Sequence, residues 1–303
     1  MIAGFLNLYK PVGWTSHDCV AKVRRLLNLK KVGHGGTLDP KAAGVLPIAL
    51  GRATRLLQFL PPDKAYRAVI RLGVITTTDD LEGEICYSAG ALSLTESAAI
   101  APLPTFIGTI EQIPPRYSAI QVQGQRLYDL ARRGKEIDVP KRTVTVHHIT
   151  PVAWQPGEFP ELTVDIACGA GTYIRSIARD LGALLGVGGT LAGLERTKSS
   201  GFTLESSLSL AQLEAQLQAD SYTPIAPAIV LKHHPRIVLS EDAARRWQQG
   251  QKIPHRFQEA DLNCQHYQVF GPGDRFLGMT EWAFVPDTDE TRLLPQVVFT
   301  PPD

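Results

Sequence analysis

Residues 162–185 read LTVDIACGAGTYIRSIARDLGALL, and this stretch decides the fold class. Leu162–Cys168 is a short apolar run of strand length. Gly169-Ala170-Gly171 breaks it, because glycines this close supply turn backbone. From residue 172 the apolar spacing becomes helical, with Ile174, Ile177, Ala178, Leu181 and Leu185 on one face of a helix expected over 172–185. A buried strand that feeds a helix through a glycine turn, in a chain with other runs of both kinds, predicts an α+β fold.

The flanking sequence agrees. Residues 64–73 alternate, with Tyr66, Ala68, Ile70 and Leu72 on one face and Arg67, Val69 and Arg71 on the other. Residues 4–9 and 44–51 read as further strands. Thr15 or Ser16 caps a helix over 17–28, with Val20, Val23 and Leu27 inward and Lys22, Arg24 and Arg25 turned away. Residues 76–84 suggest a hairpin or loop, and 94–101, 128–133 and 208–218 suggest helices. Prolines punctuate 221–235, where we place a boundary between domains 1–231 and 232–303. The second domain should hold a helix over 240–249, capped by Ser240, and strands at 265–270 and 276–284.

At 303 residues the chain has the length of about two domains. With 44% apolar and 20% charged residues it can bury a core, which excludes general disorder. No apolar run reaches membrane-spanning length, and the first residues do not resemble a secretory leader. Cys19, Cys86, Cys168 and Cys264 are far apart and read as reduced thiols of a cytoplasmic protein. No histidine or cysteine spacing suggests a metal. A net charge of +1 hides an asymmetry: residues 1–75 hold twelve Lys/Arg against three acids, 116–142 hold seven against three, and 232–303 hold eight against ten. A basic end on a neutral chain suggests a polyanionic partner, although solvated surface lysines would give the same count.

Three places offer chemistry. Gly33-His34-Gly35-Gly36-Thr37-Leu38-Asp39-Pro40 packs three glycines and a proline into eight residues around one carboxylate and one imidazole. Its spacing fits neither a dinucleotide fingerprint nor a P-loop, and alone it reads more readily as a tight Asp-Pro turn. Tyr173 and Arg175 open the helix after the glycine turn, where an anion is favoured. Tyr66 is either core or a flat ring on which a base stacks.

Taken in order, the motifs resemble a known family. Asn7-Leu8-Tyr9-Lys10-Pro11 with Gly13-Trp14-Thr15-Ser16, the Gly33–Pro40 loop with Ala43–Pro47, Lys64-Ala65-Tyr66-Arg67, Gly171–Ser176 and Leu194-Glu195-Arg196-Thr197 are similar to those of TruB-type tRNA pseudouridine synthases. Tyr9 departs from the usual pattern at a position outside the catalytic set. The resemblance implies a mixed-sheet catalytic domain with helices and loops around a central cleft, a mobile RNA-clamping loop at 116–142, and a small, mainly β, PUA-like RNA-binding domain at the C-terminus. It implies isomerisation of uridine 55 in the T loop of tRNA by base flipping, glycosidic cleavage and reattachment through C5, with no metal or organic cofactor. Asp39 would be the essential carboxylate, at the sugar or at the base. Arg175 would be its ion-pair partner, and Tyr66 would stack and move a proton. His34 would hold the flipped conformation, Tyr173 and Leu194 would line the pocket, and Lys10 and Pro11 would be a structural and pocket-wall element below the active site, with Lys10 counted among the substrate-binding residues. Arg132, Arg133 and Lys135 would meet phosphates of the T arm. A monomer without protein partners is expected. A glycoside hydrolase would need a second carboxylate across the bond, and a purely RNA-binding protein would need no Asp39.

Overall fold

The computed structural model describes residues 2–117, 121–122, 125–126, 139–255, 264–285 and 290–299. Among them, a nine-stranded sheet forms the larger body. Its main path runs Gly4–Lys10, Ala43–Leu50, Gly189–Ser199, Lys64–Leu72, Glu161–Cys168, Arg142–Gln155, Gly108–Gln112. Neighbours are antiparallel except Ala43–Leu50 beside Gly189–Ser199, where Glu195 lies opposite Ala43 and Arg196 opposite Gly44. Gly44 is indispensable there: its φ is +106°, and a Cβ would stand 2.3 Å from the Arg196 carbonyl oxygen.

The alternation of 64–72 is realised, with Tyr66, Ala68, Ile70 and Leu72 buried on one face. The helix Ile174–Leu184 covers them with Ile174, Ile177, Ala178 and Leu181, and Leu162, Val164 and Ile166 complete this core. That helix starts two residues later than the apolar spacing suggests. Tyr173 is its N-cap, and Gln112 replaces a side-chain cap: its Oε1 accepts from Tyr173 N at 2.8 Å and its Nε2 donates to Tyr173 O at 3.1 Å. A second layer is the helix Ser16–Leu26, closed by a capping box between Thr15 and Asp18. Its Cys19, Val20 and Val23 meet Leu6, Leu8, Leu46 and Ile48 of the sheet. Lys22 pairs with Glu214 at 2.5 Å, while Arg24 and Arg25 are exposed. The hairpin expected around 76–84 forms from Val74–Thr76 and Ile85–Ser88. The helix expected over 94–101 is shorter, Glu96–Ile100, and the one expected over 128–133 lies outside the described residues.

A separate sheet, ordered Arg236–Val238, His266–Gly271, Arg275–Val285, Glu290–Val298, Ile253–Pro254, packs around the buried Trp247 of helix Glu241–Gln248. Ser240 caps that helix through a bond from Ala243 N to its Oγ. The two sheets share no strand among the described residues. Met279, Val297 and Phe299 of the second body pack with Phe5, Val45 and Phe59 of the first.

Histidines gather where the bodies meet. His233 and His234 Nε2 lie 3.0 and 2.9 Å from the Phe59 carbonyl oxygen, so each ring donates an N–H, and their centroids are 4.0 Å apart. His266 stands edge-on to both Phe59 and His234. Burial, then His234, pushes His233 below the ordinary histidine value, and the same two causes lower His266. The unfolded chain titrates near about 6.5. Between the depressed folded values and that point the unfolded state binds more protons, so stability rises with pH across the window. The melting temperature should therefore fall as pH is lowered from about 7.5 to about 5.5; an unchanged value would contradict this.

Candidate active site

The Gly33–Pro40 loop is held rigid from below by two buried cations. Arg196 is fully buried. Its Nε donates to Val45 O at 2.7 Å, Nη1 to Thr37 O at 3.2 Å and Nη2 to Gly36 O at 3.1 Å. Lys10 is also fully buried, and its Nζ donates to the carbonyls of Pro11, Trp14 and Pro40 at 3.0, 2.6 and 3.3 Å. Burial lowers both basicities, Lys10 and Arg196 alike. Ser16 Oγ accepts from Leu38 N at 2.9 Å, and Gly35 N donates to Pro47 O at 2.8 Å. A loop so tied presents Asp39 in one place.

Asp39 meets Arg175. Arg175 Nη2 is 3.2 Å from Asp39 Oδ2, and Nη1 is 3.4 Å from Asp80 Oδ2. The arginine side chain is 8% exposed, Asp80 12% and Asp39 42%. The guanidinium is thus enclosed, while the Asp39 carboxylate faces open space. Thr78 O and Tyr117 O, each at 3.2 Å, take further Arg175 N–H groups. The planar fork suits such a multiple clamp.

A cavity of about 360 Å³ opens beside this pair, lined by Asp39, Tyr66, Tyr173, Arg175, Leu194 and Lys64 among others. Tyr66 is 7% exposed and interacts through its hydroxyl with Arg196. Burial raises its pKa, so the hydroxyl keeps its proton at neutral pH. Burial, then Arg196, lowers that of Lys64. A neighbouring cavity of about 580 Å³ shares Asp39, Arg175 and Leu194 with the first and reaches Asp80, so the ion pair stands between the two.

The structure therefore brings Asp39, Tyr66, Arg175, Tyr173 and Leu194 around one cavity. Lys10 and His34 are elsewhere. Lys10 supports the loop from beneath and does not line the cavity, because its ammonium is committed to three carbonyls. His34 accepts from Gly36 N at 3.3 Å through Nδ1 and stands edge-on to His17, its pKa lowered first by burial. Arg132, Arg133 and Lys135, with most of 116–142, lie outside the described residues. Sequence reasoning missed Asp80, and it quoted Arg196 and Lys64 within motifs without giving either a role. Asp80 is fixed by Thr78 Oγ1 at 2.5 Å and Glu82 N at 3.0 Å. Replacing it with Asn would remove a charge from the Arg175 clamp, and should slow single-turnover chemistry by about tenfold to a hundredfold with substrate affinity retained. A wild-type rate would place Asp80 outside the machinery.

The chain is similar to a solved H/ACA RNP bound to a substrate RNA containing 2′-deoxyuridine, at 25% identity and TM-score 0.71 over 98% of this chain and 85% of that one. It is similar to a Cbf5-Nop10-Gar1 complex at 27% identity and TM-score 0.70, over 98% and 84%. Family models give the class as pseudouridylate synthase: residues 24–174 match the TruB family pseudouridylate synthase N-terminal domain, 175–230 the tRNA pseudouridylate synthase B C-terminal domain, and 235–297 the pseudouridine synthase II TruB C-terminal domain. Within that class the chain belongs to the TruB family. It is 55% identical to tRNA pseudouridine synthase B of Trichormus variabilis, over 98% of this chain and 99% of the relative, and 56% identical to that of Gloeothece citriformis, over 98% and 97%.

Proposed function

We propose that the cavity beside Asp39 receives uridine 55 of the tRNA T loop, flipped out of its stack, and converts it to pseudouridine. The observation that carries this reading is the Asp39–Arg175 pair beside Tyr66 in a chain of the TruB family. The reaction is an isomerisation of a tRNA uridine. The N1–C1′ bond breaks, a C5–C1′ bond forms, the C5 proton leaves and N1 gains one, so no co-reactant is consumed. Asp39 supplies the carboxylate, as nucleophile or as stabiliser of positive charge at the sugar. Arg175 balances its charge without covering its open side. The Tyr66 ring forms a flat wall, and its protonated hydroxyl is placed for proton transfer. Tyr173 and Leu194 close the cavity around the base, and His34 steadies the flipped nucleotide from the loop's edge.

Residues 1–231 are the catalytic unit and 232–303 an RNA-binding unit in this reading. The separate sheets and the family-model edges at 230 and 235 support it. The enzyme acts as a monomer in the cytoplasm; its four free cysteines are in keeping with a reducing compartment. The test is tritium release from tRNA labelled at uracil C5. Release from wild-type tRNA, and loss of the position-55 contribution from a transcript carrying cytidine there, is expected. Undiminished release from the variant transcript would overturn the assignment of the target. The basic first domain also predicts that tRNA affinity falls with salt, with a log–log slope reflecting about four to eight phosphate contacts; a flat dependence would contradict it.

A further inference from the structure

One helical turn beyond Arg175, the same helix carries a second arginine whose contacts are all with the site's surroundings. Arg179 Nη1 pairs with Asp79 Oδ2 at 2.9 Å and Nε with Asp180 Oδ1 at 2.8 Å. Its Nη2 donates to Ile113 O at 2.9 Å, a carbonyl that also accepts from Ser176 Oγ at 2.8 Å. Neither Arg179 nor Asp79 lines the cavities on either side of the Asp39–Arg175 pair. Asp79 nevertheless holds the backbone next to Asp80. Its φ is +61°, a left-handed conformation that a non-glycine residue keeps only when its surroundings enforce it. Two anchors do so: its carbonyl accepts from Leu191 N at 3.0 Å, and its carboxylate, 13% exposed, lies on Arg179.

The consequence is geometric. The turn 76–80 supplies two of the four acceptors around Arg175, Asp80 and the Thr78 carbonyl. The segment that follows Ile113 supplies a third, the Tyr117 carbonyl. Arg179 grips the first element through Asp79 and the second through Ile113. We infer that Arg179 and Asp79 are a positioning pair for the reaction, fixing the turn so that Asp80 meets Arg175 and Arg175 in turn meets Asp39. This rests on the reading of Asp39 and Arg175 given above. Removing one partner of a largely enclosed ion pair costs stability as well, so the test reads rate in folded protein, where small misplacement of a group around a reacting centre is costly.

A double-mutant cycle in the full chain tests the inference. Arg179→Gln should slow single-turnover tritium release by about tenfold or more while tRNA affinity stays within about twofold. Arg179→Lys, which keeps the charge but not the two-pronged grip, should recover only part of the rate. In an Asp80→Asn background the same Arg179→Gln change should cost several-fold less than in the wild type, because one of the groups it positions has already lost its charge and only the Thr78 and Tyr117 carbonyls remain. A loss that multiplies fully with Asp80→Asn would show a merely structural role and overturn the inference, as would a wild-type rate in Arg179→Gln. If Arg179→Gln fails to fold, by thermal melting, the near-isosteric Asp79→Asn takes its place in the same cycle. Asp39→Asn is run alongside. If it is inactive while Arg179→Gln is unaffected, only the positioning inference fails; if it is active, the reading of the site fails first.

Discussion

Asp39→Asn is expected to lower turnover by at least about four orders of magnitude, on the scale of removing other essential catalytic groups, with tRNA still bound. The change keeps the shape of the side chain and removes the charge that chemistry at the sugar requires. The pocket should survive it. Arg175 would lose one partner but keep Asp80 and the carbonyls of Thr78 and Tyr117, and the loop would keep the supports from Arg196, Lys10 and Ser16. Lost activity with an intact fold would therefore report chemistry. Single-turnover tritium release and tRNA binding, measured together, decide it. Activity within tenfold of wild type would remove Asp39 from the centre of the mechanism.

Tyr66→Phe should reduce the rate by about two to four orders of magnitude, the range of a lost general acid or base, with little change in affinity. Only the hydroxyl goes; the ring stays in the core formed with Ala68, Ile166 and Ile174. Arg196, which meets that hydroxyl, retains its three carbonyl acceptors. If the ring served only as a stacking surface, the variant would keep most of its rate. The same assay, with thermal melting as a control for folding, separates the two outcomes.

The part of the site that could be read in the sequence lies where local patterns are clean. Tyr66 stands in a strand with strict alternation, Arg175 at the head of a helix with a regular apolar stripe, and Asp39 in a loop whose glycines and proline mark it. Arg196 stood in a quoted motif, but its supporting role escaped because its strand, Gly189–Ser199, changes register twice, between Leu191 and Gly193 and between Arg196 and Lys198. Those irregularities erase the period-two signal that would have identified the strand. Asp80 hid among the threonines and acids of a hairpin, where a carboxylate is ordinary; the two adjacent acids, Asp79 and Asp80, were the available hint. The longest strand, Arg142–Gln155, was missed because much of it is exposed and it contains Pro151 and two register shifts. Lys10 shows the opposite case. Its motif implied both a structural and a pocket-wall role, and no local pattern tells a lysine that touches substrate from one that neutralises carbonyls beneath it.

The parallel pairing of Ala43–Leu50 with Gly189–Ser199 has a consequence for synthesis on the ribosome. The loop bearing Asp39 is made early, but Arg196, which pins it, is translated some 150 residues later. The first strand waits longer still, since Phe5 exchanges backbone hydrogen bonds with Ile225. Contacts of such sequence separation close late in folding. A nascent chain halted before residue 196 would display the catalytic motif and the basic N-terminal surface without a working centre. Competence to modify RNA would arrive abruptly, once the last strands of the large sheet have left the exit tunnel.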